Sequence, residues 1–208
     1  DSSNNLIELE LESNQKLTQI PDDLFKNTQK LKKLEMRSSY NLKLKKKSFW
    51  NLPELEELTL KYLNLPELPE HLLANSQKLK KLDLSDNNLK KLEKKFKEKI
   101  PELEVLILAL NPLELDRDSF TEFSKLKELN IGNCNLTTLP EGIFNSLTQL
   151  EVLYLHENHL TVLTENIFAM NLNLKKIILG WNKLSKIEFD FTKLARIEEI
   201  NLRETKCI

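Results

Sequence analysis

Cysteine is nearly absent: Cys134 and Cys207 are the two in 208 residues. Two are too few for a disulfide framework or a cysteine zinc site. Glycine is as scarce, at three residues, and no phosphate-cradling glycine loop is present. The three histidines, His71, His156 and His159, have no metal-ligand spacing. Neither G-x-S-x-G nor H-E-x-x-H occurs, and the carboxylates fall on regular positions rather than in one cleft. No enzyme, metal or cofactor is therefore expected. A net charge of −1 gives no global basic field, so no nucleic-acid partner is expected either. No apolar run approaches the roughly 20 residues that cross a bilayer, so membrane attachment is expected only through segments outside this chain. The opening "DSSNNLIELE" lacks a basic n-region and an apolar h-region, so no signal peptide is read there; a processed chain would look the same.

What the chain has in abundance is repetition. The pattern L-x-x-L-x-L-x-x-N-x-L begins at Leu6, Leu31, Leu55, Leu79, Leu103, Leu126, Leu150, Leu174 and Ile197, in steps of 25, 24, 24, 24, 23, 24, 24 and 23 residues. Its fourth and sixth positions are Leu, Ile or Met in every copy. Two residues apart, they share one face of a short strand. The ninth position is Asn in five copies, Asn14, Asn87, Asn111, Asn158 and Asn182. An amide there can donate and accept, and can satisfy the backbone where the chain leaves the strand. Leu63 departs from that column, and Cys134 fills it as a small buried group. Later in each copy one more anchor is expected inside: Phe25, Phe49, Phe96, Phe120, Phe144, Phe168 and Phe191, with Leu73 standing in once. One unit cannot bury its own leucines, but stacked units can. The predicted fold is an α/β solenoid of about eight full repeats and a partial ninth, with a parallel sheet on its concave face and irregular or short helical convex segments.

This grammar resembles the leucine-rich repeat family over essentially all of residues 1–208, taken as one domain. The 24-residue period with its late Phe, as in "LEVLYLHENHLTVLTENIFAMNLN", is similar to the typical extracellular subclass. "LTQIPDDLFKNTQKLKKLEMRS" and "LTTLPEGIFNSLTQLEVLYLHENHL" look most like Toll-type receptor ectodomains of the insect kind. The resemblance implies an extracellular, ligand-binding ectodomain of an innate immune receptor. Its partner would be a protein ligand, such as a cystine-knot cytokine, or a microbial product, with receptor dimerisation following. A secreted matrix or adhesion protein, or a soluble immune factor, shares the grammar. The cysteine-rich end caps of extracellular members are not visible, which reads as a fragment of a larger ectodomain. Cys207 would then pair with a cysteine further along, since three strand spacings put it roughly 14 Å from Cys134. The sequon "NLT" makes Asn135, on an exposed turn, a glycosylation candidate.

Positions three, five, seven and eight of each copy should face the concave solvent. Copies one to four place mixed charge there, as in Glu8, Glu10 and Glu12 or Lys33, Glu35 and Arg37. Copies five to eight change character. Their candidate ligand-binding residues are Val105, Ile107 and Leu110, then Val152, Tyr154 and His156, then Ile178 and Trp181, with Gly132 and Gly180 expected to thin the wall. Aromatic and aliphatic anchors inside a polar rim are the composition of a protein-binding face. Strand propensity for Val, Ile, Tyr and Trp, or cover by another segment of the same protein, would write the same residues. The lysine-rich stretches "KLKKL" (30–34 and 78–82) and "KKFKEK" (94–99) read as solvated turns.

Overall fold

The computed structural model of the chain describes residues 5–21 and 23–205, so Cys207 and its expected pairing lie outside the described residues. Each repeat opens with a strand. These are β1 (Glu8–Glu12), β2 (Lys33–Arg37), β3 (Glu57–Lys61), β4 (Lys81–Asp83), β5 (Val105–Ile107), β6 (Glu128–Asn130), β7 (Val152–Tyr154), β9 (Lys176–Ile178) and β11 (Glu199–Asn201). They form one parallel sheet in the order β1-β2-β3-β4-β5-β6-β7-β9-β11. Repeat pairs with repeat in register: Leu34 lies beside Leu58, Leu58 beside Leu82, Leu82 beside Leu106. The fourth- and sixth-position side chains point inward, and from Leu34 to Leu179 they are buried. Leu9 and Leu11, in the first strand, are only partly covered. The fold is thus the parallel-sheet solenoid that the spacing predicts.

Behind the sheet the chain returns mostly through turns. A second, short parallel pair joins β8 (Val162–Leu163) to β10 (Lys186–Ile187), and the bridge Gln19–Lys43 repeats the same contact near the other end. One helical turn, α1 (Lys94–Lys97), carries Phe96 inward. The phenylalanines stack from repeat to repeat, with ring centroids 6.3 Å apart for Phe120–Phe144 and 6.0 Å for Phe144–Phe168. The last member of this column is Phe189, not Phe191. Phe189 is 4% exposed and meets Phe168 edge-on at 5.3 Å, while Phe191 is only partly buried. Asp190 causes the difference: its carboxylate accepts from the Thr192 N–H and hydroxyl, starting a 3₁₀ turn at Phe191 that carries that ring off the column.

Lys97 also departs from the solvated reading of its stretch. It is buried, and its ammonium donates to the carbonyls of Asp118 at 2.8 Å and Ser119 at 3.0 Å in the next repeat. Burial holds its pKa below the usual lysine range. It works as a clip between the convex sides of two repeats.

The two long edges of the sheet are built differently. At the N-terminal edge, position two runs Lys32, Glu56, Lys80, Glu104, Lys127, Glu151, Lys175, Glu198, an unbroken alternation of sign. Neighbours pair across repeats: Lys32–Glu56 at 2.8 Å, Lys127–Glu104 at 2.8 Å and Lys175–Glu151 at 2.6 Å. The position two residues earlier adds Lys78–Glu54 and Lys125–Glu102.

At the C-terminal edge the ninth-position amides are buried. The Asn158 amide NH₂ donates to Ile131 O at 2.9 Å and Leu155 O at 3.0 Å; its oxygen accepts from the N–H groups of Cys134 and Leu136, both at 3.0 Å. Asn87, Asn111 and Asn182 repeat the arrangement, each reaching back to the preceding repeat. Asn14 does not join them: it is exposed and reaches only Glu12 O at 3.2 Å. Cys134 keeps half of the function, its thiol donating to Leu108 O and Gly132 O. Burial pushes that thiol up to about 11. A further buried amide, Asn171, ties the convex side by donating to Phe144 O and Leu147 O.

Candidate functional site: the concave wall and its rim

Strand pairing fixes which side chains meet on the wall. Lys81 lies beside Val105, and Asp83 beside Ile107. Beyond β5 the rows run Val105–Glu128–Val152–Lys176 and Ile107–Asn130–Tyr154–Ile178. Val105, Ile107, Val152, Tyr154 and Ile178 are half-buried, each with its outer part open to the concave space. The apolar zone is therefore two aliphatic and aromatic patches with a polar strand, Glu128 and Asn130 of β6, between them.

The glycines do not leave notches in this wall. A Cβ on Gly132 would lie 2.5 Å from the His156 ring, which already occupies that space. His156 stands edge-on to Tyr154, with ring centroids 6.1 Å apart, and its Nδ1 is buried without a hydrogen-bond partner. A Cβ on Gly180 would lie 3.1 Å from the carbonyl of Arg203. Both glycines let the following repeat approach closely, so the expected thinning is a packing allowance instead.

Leu110 and Trp181 stand apart from the six other candidates. They occupy the eighth position, where the backbone is left-handed in each described repeat: Ser13, Ser38, Tyr62, Asp86, Leu110, Asn133, Glu157, Trp181 and Glu204 all have φ between 52° and 60°. This turn takes the chain off the wall. Leu110 is 41% and Trp181 59% exposed, and both belong to the C-terminal rim. A left-handed conformation is uncommon for bulky residues, so Tyr62, Leu110 and Trp181 are held there by the pairing on either side. The Leu110 N–H donates to Gly132 O and the Trp181 N–H to Arg203 O.

The opposite half of the wall is ionic. Glu35 sits between Arg37 at 2.7 Å and Lys33 at 3.1 Å. Partial burial opposes its charge, but the hydrogen bonds from Lys33 and Arg37 outweigh that and hold it below the usual carboxylate range. Among the described residues no group of three or more His, Cys, Asp or Glu could hold a metal ion.

Family models described as leucine rich repeat match residues 4–65, 101–160, 124–184 and 149–206, and a second such model matches 78–98. The chain belongs to the leucine-rich repeat family. No curated protein matches it by sequence. Among solved leucine-rich repeat structures, it is similar to TLR13 in its complex with ssRNA13, with 28% identity and a TM-score of 0.79 over 85% of this chain and 26% of that one. It is similar in fold to Drosophila Toll in the Toll–Spatzle complex, with 23% identity and a TM-score of 0.81 over 100% of this chain and 31% of that one. The glycosylated form of that complex gives 20% and 0.81. This leucine-rich repeat chain thus spans between a quarter and a third of the length of the solved chains it matches. No helix among the described residues is long and apolar enough to cross a membrane.

Proposed function

We propose that this chain is an extracellular recognition module, part of the ligand-binding ectodomain of a Toll-like innate immune receptor. Its docking face is the concave wall of repeats five to eight. One observation carries the reading: Val105, Ile107, Val152, Tyr154 and Ile178 open onto the concave space, whereas repeats one to four fill the same two rows with charged residues, Thr59 apart. Half-buried aliphatic and aromatic anchors bounded by charge make a protein-binding face. A protein ligand is the favoured partner, in keeping with the Toll–Spatzle complex among the similar structures. The expectation of no nucleic-acid partner rested on net charge. It loses force beside a similar fold in complex with ssRNA13, so RNA becomes an outcome of the test.

The test is capture from the extracellular fluid of the source organism, by the wild-type chain and by the Ile107→Lys, Tyr154→Ala variant, both checked by circular dichroism melts. Capture by the wild type and loss by the folded variant is the expected result. Equal capture by both would move the site off the wall. Nuclease treatment of the captured material separates an RNA ligand from a protein one.

Asn135 completes this reading as a glycan site. It is exposed, with φ of 58°, on the rim of repeat six. Protein secreted from animal cells should lose mass on N-glycosidase treatment, and the Asn135→Gln variant should not; no mass loss in the wild type would remove the site.

A further inference from the structure

Two large exposed rings on this molecule already have their own cation. The Lys61 ammonium lies 5.0 Å from the centroid of Tyr62, and that of Lys47 lies 5.7 Å from Trp50. Trp181 is more exposed than either, and its side chain makes no hydrogen bond, ring contact or cation contact with a described residue. It sits in a hollow of about 340 Å³ lined by Asn133, Glu157, His159, Lys183 and Glu204. Glu157 and Glu204 occupy the same eighth position in the repeats on either side, so the three side chains leave consecutive turns with the same left-handed backbone. Neighbouring strands are about 4.8 Å apart, and both carboxylates line the same hollow as the indole. Neither carboxylate has an ion-pair partner among the described residues; Glu157 only accepts from the Asn133 amide at 3.0 Å. Among the described residues that line the hollow, two carboxylates stand against the one ammonium of Lys183.

An open indole face beside two carboxylates that have no ion-pair partner among the described residues is chemically complementary to a guanidinium, which stacks on the ring and donates in its own plane. We propose that the Trp181 hollow is a subsite for an arginine side chain presented by a protein partner. The proposal rests on the reading of the chain as a protein-recognition module, because the partner supplies the arginine. It does not need the apolar wall. Wall and rim then divide the work of recognition. The wall takes an apolar surface, and the rim sets the register of a basic residue beside it.

The experiment is a ¹⁵N NMR titration of the chain with acetyl-Gly-Arg-Gly-amide, and with the same peptide carrying citrulline, the neutral isostere. The arginine peptide should shift the amides of Glu157, Trp181 and Glu204 and the Trp181 indole N–H saturably, with Kd of about 1–10 mM for a single side chain. Binding should weaken at least about fivefold in Glu157→Gln/Glu204→Gln and in Trp181→Leu, and in high salt. Either variant alone decides the matter if the other does not fold, as judged by its amide dispersion. The Ile107→Lys, Tyr154→Ala variant should bind the peptide as the wild type does, so failure of the wall and failure of this subsite read out separately. Equal shifts from the citrulline peptide, unchanged binding in the variants, shifts confined to the lysine–glutamate edge, or no saturable shift would each overturn the proposal.

Discussion

Along the N-terminal edge of the sheet, neighbouring repeats are tied by lysine–glutamate pairs in water; along the C-terminal edge they are tied by asparagine amides out of it. Both devices link neighbouring repeats at the same interval. Their energetics differ because solvent differs. An exposed ion pair competes with hydration and loses side-chain entropy, so each contributes little. A buried amide serves backbone groups that water cannot reach, and its loss leaves them unpartnered. One edge is therefore set up to favour register and solubility, and the other to carry stability.

The largest expected effect comes from breaking the buried edge. Asn158→Ala strands two carbonyls and the N–H groups of Cys134 and Leu136. At roughly 1–3 kcal/mol for a buried group left unsatisfied, with partial relaxation, a loss of about 3–5 kcal/mol in a urea melt is expected. A loss below about 1 kcal/mol would mean that water enters the edge. A smaller, opposite effect is expected where the column is imperfect. Cys134→Asn restores an acceptor that the thiol cannot offer as well, and should stabilise by about 1 kcal/mol in the same assay. In the wild type the buried Cys134, its thiol pushed up to about 11, should resist iodoacetamide until the chain unfolds.

The smallest effect belongs to the charged edge. Lys127→Glu, which sets three carboxylates in a row with Glu104 and Glu151, should still move Tm by no more than about 2 °C; a larger shift would mean that this edge carries stability. The pH dependence of this edge has a fixed sign. Hydrogen bonds and charge from their lysines hold Glu56, Glu104 and Glu151 below the usual carboxylate range. Their contribution is present above the unfolded carboxylate value of about 4.5 and fades as pH falls through the depressed range. Lys32 and Lys127 are raised by the same contacts, so their share is present below about 10.5 and fades as pH rises through the raised values. Thermal melts from pH 7 down to 3 should show this decline in the wild type. A flat profile would mean that the pairs contribute nothing to stability.

Most of the fold was legible in the sequence because the leucine spacing and the strand period write the same message nine times. The limits lay where one residue type can do two jobs. Phe189 and Phe191 are two apart; Phe189 packs on Phe168, while the Asp190 carboxylate caps a turn that begins at Phe191. The eighth position holds Ser, Tyr, Asp, Leu, Asn, Glu and Trp in different repeats, and such a mixture gives no sign that all share one left-handed backbone. Reading that position as part of the strand placed Leu110 and Trp181 on the wall. Gly132 reads as an open space until the ring of His156, one repeat further on, is seen to fill it. Asn171 lies outside the repeated leucine–asparagine pattern, so only its hydrogen bonds disclose its role. Period two alone sets which side chains of the apolar rows face out. Their interruption by Glu128 and Asn130 becomes meaningful once the strands lie side by side.

The reach of the buried asparagines also gives the stack a direction in time. Each one closes the backbone of the repeat that precedes it in the chain, never the one that follows. During synthesis, then, a repeat followed by such an asparagine leaves the ribosome with open amide groups and is completed only when its successor emerges and delivers the side chain that fits them. Growth from the first residue to the last and closure of the solenoid run in the same direction.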